Sequence, residues 1–207
     1  MRLFRYIIVL FLLTVTYASE WTNSATLSFA NKVGNTNINS FSGNLSSSNK
    51  GDFKLFGKLL TDSEFSFLAN HSQSTQNDTS LLENNSAIIL IFDYHANKIF
   101  SPFIFTGWEY DSLAGVDSRI NLGVGAKYRF NNYASFSAAL LIENQTYTGE
   151  TAELLNRISL RPKYKRSFAN GSNIIWMIFY QPSTLDYDDY LMKSELSASF
   201  QTSVQWL

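Results

Sequence analysis

Few side chains in this sequence could do chemistry on a substrate. There are two histidines, His71 and His95, and no cysteine. Zero Cys removes disulfide frameworks, thiolate metal sites, iron–sulfur clusters and thiol catalysis together. Two His are too few for a His-rich catalytic metal site. A Ser–His pair would suit a hydrolase, including one that acts on membrane lipids. No Gly-x-Ser-x-Gly elbow or other nucleophile motif accompanies either His. His71 follows the apolar parity of its segment, and His95 sits in a turn. Asp186-Tyr-Asp-Asp189 groups three carboxylates that could offer oxygen ligands to calcium. In a loop such a run is usually just solvated. Gly123-x-Gly125 has no helix after it, so it is not a phosphate-cradling loop. These glycines are expected to relieve crowding or permit curvature within a strand. No catalytic, metal or cofactor-binding residue is expected, and no cofactor.

The charged residues form a second pattern. Within alternating segments they share the polar parity. Assigning that parity to the inside of a barrel places Lys54, Lys58, Arg119, Lys127, Arg129, Arg157, Arg161, Lys163, Lys165 and Lys193 on the inner face. Asp52, Asp93, Glu109, Glu143 and Glu195 are the acids there. Such a net-positive lumen could favour anions or hold a phosphate-bearing ligand. The competing expectation is a closed, side-chain-filled interior, in which Arg119 or Arg129 pairs with Glu143 across adjacent strands.

The elements that position these groups are strands. No long segment has the i, i+3, i+4 apolar pattern of a helix. Ile120, Leu122, Val124, Ala126, Tyr128 and Phe130 alternate with Arg119, Asn121, Gly123, Gly125, Lys127 and Arg129. The same two-residue period recurs at 21–29, 41–59, 158–164 and 192–200. It requires an extended chain with one apolar and one polar face. Turn chemistry at Asn35, Asp62-Ser63, Ala96-Asn97, Asn131-Asn132 and Asn170-Gly171 separates the runs. Ten strands are predicted, at 20–33, 38–60, 64–75, 84–94, 99–110, 117–130, 133–145, 154–168, 173–182 and 190–206. The intervening segments then alternate short (61–63, 95–98, 131–132, 169–172) and long (76–83, 111–116, 146–153, 183–189). An up-and-down membrane barrel with one short-turn rim has this order.

Composition agrees with that class. The 207 residues suit one domain. Charged residues make up 16% of the chain, against about 25% in ordinary soluble domains. Sixteen basic and 17 acidic residues nearly balance, which argues against a nucleic-acid binder. Residues 1–18 have the form of a cleaved secretory signal: Arg2 and Arg5, the apolar run Tyr6–Val15, and Ala18 before the cut. The apolar run is too short to span a bilayer as a helix. The domain proper is residues 19–207. Aromatics gather near strand ends (Tyr94, Phe100, Trp108, Tyr110, Phe130, Tyr133, Tyr147, Trp176, Tyr180, Tyr187, Tyr190 and Trp206), like two interfacial girdles. The alternative is an exported soluble β-sandwich or barrel with its apolar face as a core.

A family resemblance rests on ordered motifs. Val33-Gly-Asn-Thr-Asn37 follows the first strand. Trp108-Glu-Tyr-Asp111 precedes Asp117-Ser-Arg119 and Leu122-Gly-Val-Gly-Ala-Lys-Tyr-Arg-Phe130. Arg161-Pro-Lys-Tyr164, Gln181-Pro-Ser183 and Asp188-Asp-Tyr190 come later. The order resembles the YdiY-like salt-induced outer-membrane protein family, small barrels of unknown function. The resemblance implies an antiparallel up-and-down transmembrane β-barrel in the outer membrane of a Gram-negative envelope. Family members have about twelve strands, against the ten read here. The expected partners are outer-membrane lipid, lipopolysaccharide and, during biogenesis, the barrel-assembly machinery. No nucleic acid and a monomeric state are expected. The expected role is structural or stress-related, with a narrow pore for small solutes. A soluble binding protein and a lipid-modifying enzyme are the alternatives.

Overall fold

The structure is a computed structural model that describes residues 20–55, 57–77 and 79–201. The leader expected at 1–18, and Val204 and Trp206 in the last strand, lie outside the described residues. Every element described is a strand: β1 (Glu20–Lys32), β2 (Ile38–Leu55), β3 (Lys58–Gln76), β4 (Ser80–Asp93), β5 (Phe100–Asp111), β6 (Val116–Arg129), β7 (Ala134–Tyr147), β8 (Glu153–Ser167), β9 (Asn173–Pro182) and β10 (Tyr190–Ser199). They form one antiparallel sheet in chain order, β1 to β10. The sheet is up-and-down and compatible with a barrel. It is not closed, because β1 and β10 are its two edges among the described residues.

Cross-strand partners share a face, so the register sorts every side chain. Ile88, Trp108, Ile120 and Asn144 lie in one row. Phe92, Ile104, Val124, Leu140 and Ile158 lie in another. The opposite face carries Glu109, Arg119 and Gln145 in one row, and Gly123, Leu141 and Arg157 in another. Burial then distinguishes inside from outside. Leu140 and Ile142 are 63% and 53% exposed, whereas Leu141 and Glu143 are 3% and 1% exposed. The sheet therefore curls around its charged face and turns its aliphatic face outward. A cavity of about 380 Å³ lined by Asn70, Glu109, Asn121 and Lys193 brings β10 across from β3, β5 and β6, which only a curled sheet allows.

Two glycines permit that curl. Phe105, Ala139 and Leu141 form a small buried cluster on the inner face, with Ile91 and Phe103 packed against it. Phe105 on β5 and Leu141 on β7 meet over β6, where Gly123 and Gly125 stand. A Cβ on Gly123 would lie 2.4 Å from the Phe105 ring and 2.5 Å from Leu141 Cδ2. A Cβ on Gly125 would lie 2.4 Å from the Ala138 carbonyl oxygen and 2.6 Å from Ala139 Cβ. The relief of crowding expected for this pair has these contacts as its cause.

Two expectations are corrected. The second hairpin turns between Leu55 and Lys58, with Gly57 in the turn, and not at 61–63. A bulge between Gly51 and Phe53 shifts the register, so Lys54 pairs with Leu59 and Phe53 with Leu60. Leu59 therefore shares a face with Lys54, and the odd apolar parity running from Phe41 to Leu59 crosses a turn by coincidence. The alternation of short and long connections is also absent. All connections between the described strands are short, the longest being 183–189, and both rims carry them. The strands simply extend further into the segments read as loops.

A prediction follows from the glycine cradle. Gly125→Val should destabilise the fold by about 1–3 kcal/mol, the usual range for overpacking. Gly34→Ala, with nothing within 4 Å of its Cβ, should stay within about 0.5 kcal/mol of the parent. Urea unfolding of both variants measures the difference.

Candidate functional site

The curl places its charged side chains in two zones along the inner face. Nearer the 112–115 and 148–152 turns, Glu143 is the hub. Its Oε1 accepts a hydrogen bond from Arg157 Nε at 2.9 Å and lies 3.7 Å from Arg119 Nε. Arg119 Nη1 reaches Glu109 Oε2 at 3.0 Å, and Nη2 donates to Gln145 Oε1 at 3.5 Å. Gln145 Nε2 donates to Glu153 Oε2 at 3.4 Å. Arg157 Nη2 pairs with Asp189 Oδ2 at 3.0 Å, and Nη1 donates to the Gln181 and Asp189 carbonyls. Arg157 and Glu143 are each 1% exposed. Buried charges persist only when paired and hydrogen-bonded, and Glu143, Arg157 and Arg119 each have more than one partner, although Arg119 Nε itself is buried without a hydrogen bond.

The Arg119–Glu143 contact is one of the two pairings expected from sequence. Arg129 makes the other correction: its guanidinium donates to the Ala96 and Lys98 carbonyls and fixes the β4–β5 turn. Arg157 was not foreseen as the main partner of Glu143, although Glu143 and Arg157 are near-neighbours on one face of β7 and β8. Asp189 was also missed, because its carboxylate comes from the β9–β10 loop.

Nearer the opposite rim, Lys127 pairs with Asp93 at 3.3 Å, across β5. Arg161 lies between the Phe105 and Phe179 rings, 5.0 Å from each centroid, and donates from Nε to Ser159 Oγ. Lys163 is exposed, and Lys165 is exposed on the same parity. Lys54 and Lys58 are exposed in the hairpin beyond the Gly51–Phe53 bulge, apart from both zones. Lys193 pairs with Glu195 on β10, at 2.5 Å. The aromatic and aliphatic cluster of Phe103, Phe105 and Leu141 separates the two charged zones.

The outer face contains its own polar groups, and neighbours satisfy most of the ones named here. Trp108 Nε1 donates to Ser118 Oγ at 3.2 Å, and Trp176 Nε1 to Ser194 Oγ at 3.1 Å. Thr106 Oγ1 donates to the Asn121 carbonyl. Asn49 is the exception, buried with neither amide atom partnered. His71 Nδ1 lies 2.8 Å from Ser86 Oγ, its direct register partner. The ring also packs against Phe41. No carboxylate contacts His71 among the described residues. His95 stacks on Tyr94 in a turn, at positive φ. Among the described residues, no cluster of His, Cys, Asp or Glu could hold a metal. In the 186–189 run, Asp189 is engaged by Arg157 and Asp186 Oδ1 accepts the Asp188 N–H.

A family model described as a protein of unknown function, DUF481, matches residues 25–143, more than half of the 207. The match contains Glu109, Arg119, Glu143 and the glycine cradle, and stops before β8. Searches of curated proteins and of solved structures found no match.

Removing the hub should be costly. Glu143→Gln should destabilise by about 3–5 kcal/mol, since it removes the one carboxylate that two buried guanidinium groups share. Glu109→Gln, at the exposed end of the network, should cost about 1 kcal/mol or less. Denaturant midpoints of both variants and of the double variant give the coupling through Arg119.

Proposed function

The chain belongs to the DUF481 family, the YdiY-like family of unknown function, and from that premise we propose that it is an outer-membrane β-barrel protein with an envelope-structural role. The observation that carries this is the inverted polarity of the sheet. Leu27, Phe29, Leu122, Val124, Leu140, Ile142, Leu154 and Leu196 are exposed on one face, while the buried Arg119–Glu143–Arg157 network fills the other. Water would penalise the first face, and lipid would favour it. Each strand has 10 to 19 residues, enough to cross a bilayer, which takes about 9–11 tilted residues. The internal pairing of the indole N–H groups of Trp108 and Trp176 suits a face without water. Phe100, Tyr128, Phe130 and Tyr133 near one rim, and Tyr180 and Tyr190 near the other, suit interfacial girdles.

Lipid tolerates no open sheet edge. The proposal therefore requires the β1 and β10 edges to be covered in the membrane. The Phe103–Phe105–Leu141 cluster and the Arg161 sandwich narrow the inner space. Slow passage of small solutes is the transport expected of such an interior, rather than a wide pore. The role involves no enzymatic step. Export through a cleaved leader, contact with lipopolysaccharide, assistance from the barrel-assembly machinery and a monomeric state belong to the same proposal.

One observation favours a second reading, a lipid-modifying enzyme. The His71–Ser86 pair lies on the apolar face, where acyl chains would lie. Among the described residues Ser86 is the one hydrogen-bond partner of His71, and no carboxylate orients the ring, so this reading ranks second. An active-site-directed fluorophosphonate should leave Ser86 unlabelled. Labelling that disappears in both Ser86→Ala and His71→Ala would promote the enzyme reading over the structural one.

The primary proposal is tested by fractionating untagged protein and comparing gel mobility before and after heating. Outer-membrane location with a faster unheated band is expected. Leu140→Arg should destabilise the inserted form by about 2–4 kcal/mol, the cost of a charge on the lipid face near the midplane. Soluble protein with unchanged mobility, and a tolerated Leu140→Arg, would overturn the reading.

A further inference from the structure

The inner-face zone around β6, β7 and β8 holds cations that the protein itself leaves unpaired. Lys127, Ser137 and Arg161 form one register row across these strands, and Arg129, Ser135 and Lys163 form the next. Two serines thus make a floor between β6 and β8; the Ser137 hydroxyl donates to the Arg161 carbonyl at 3.5 Å, and Arg129 is held by the Ala96 and Lys98 carbonyls. At a strand spacing of about 4.8 Å these two strands stand about 10 Å apart at their Cα atoms, within reach of lysine side chains leaning over one bound group. Lys163 and Lys165 stand two residues apart on the inner parity of β8, and Lys163 is one row from Arg161. One carboxylate is engaged there, Asp93 on Lys127. Among the described residues, neither Lys163 nor Lys165 has a salt bridge or side-chain hydrogen bond. Other inner acids are occupied: Glu109 and Glu143 by Arg119 and Arg157, Asp189 by Arg157, and Glu195, which lies in the register row of Lys163 through Met177, by Lys193.

We infer that Lys127, Lys163 and Lys165, over the Ser135 and Ser137 hydroxyls, form a binding site for a phosphoryl-bearing anion. Concentrated like charge on one wall is repulsive until an anion neutralises it. Serine hydroxyls and flexible ammonium groups suit phosphoryl oxygens as point-charge and hydrogen-bond partners. Arg161 is fixed by its two aromatic neighbours and by Ser159, and forms a rigid edge to the site. Arg166, by contrast, is on the outer face against Tyr133 and Phe168. The inference depends on the inner face alone and not on what covers the outer one, so it stands or falls separately from the membrane proposal.

The test is calorimetric titration of the full folded chain with tripolyphosphate and, in a second arm, with phosphatidylglycerol in mixed micelles. Two double variants carry equal charge changes: Lys163→Gln with Lys165→Gln, and Lys54→Gln with Lys58→Gln. Binding should weaken about tenfold in the first pair and hold in the second, where the lysines lie beyond the bulge. Lys163→Arg with Lys165→Arg should retain binding, which separates lost charge from lost folding. Loss confined to the tripolyphosphate arm identifies a soluble anion, and loss confined to the micelle arm identifies a lipid headgroup. Absence of binding in both arms, or equal loss in the two glutamine pairs, would overturn the site.

Discussion

The Glu143 carboxylate, shared between Arg157 and Arg119, is the interaction on which the rest of this structure depends. It is almost fully buried, and one residue away Ile142 and Leu140 are exposed. A strand turns successive side chains to opposite faces, so the two facts are one constraint. If the ion pairs lie inside, the aliphatic residues of the same strands lie outside. Register passes this choice from β1 to β10, because paired residues share a face. The preference of the outer face for an apolar solvent follows from the inner network.

Burying that network is costly, and the cost is offset by multiple pairing, with Arg119 Nε alone in it left without a hydrogen bond among the described residues. Each guanidinium has more than one acceptor, and Asp189 closes the network from a loop rather than a strand. The neighbouring zone is built differently. There Arg161 rests on aromatic faces, and Lys163 and Lys165 have no counter-charge among the described residues. The inner wall thus divides into a neutralised end and an uncompensated end, with the Phe103–Phe105–Leu141 cluster between them. That cluster exists because Gly123 and Gly125 leave room above β6. Small residues on one strand allow large ones on its neighbours to meet, and their meeting tightens the curl.

The fold and the candidate sites were not equally legible in the sequence. Alternation of Ile120 to Phe130 with Arg119 to Arg129 gave β6 its faces without any coordinates. The position of the β2–β3 turn was not legible. A bulge at Gly51–Phe53 changes the phase by one residue, and parity across the turn then imitates a continuous strand. Loop lengths misled for a related reason: polar Asn and Ser residues read as loop also continue a strand once a neighbour supplies its ladder of hydrogen bonds. The ion network was half legible. Parity put Arg119, Glu143 and Arg157 on one face. It did not show that Arg157 would be the nearer partner, or that Arg129 would turn away to cap the 94–99 turn.

By itself the sequence determined the strand class, the two-faced character of each strand and the motif order that resembles the family. These are local properties, set by the two-residue period of extended backbone and by side-chain type. Only the tertiary structure decided which charges meet. Contacts such as Lys127 with Asp93, or Arg161 with Phe105, span a strand or more, and their distances are set by register and curvature. Curvature depends on how side chains from non-adjacent strands pack over the glycines of β6, and no local sequence pattern contains that information.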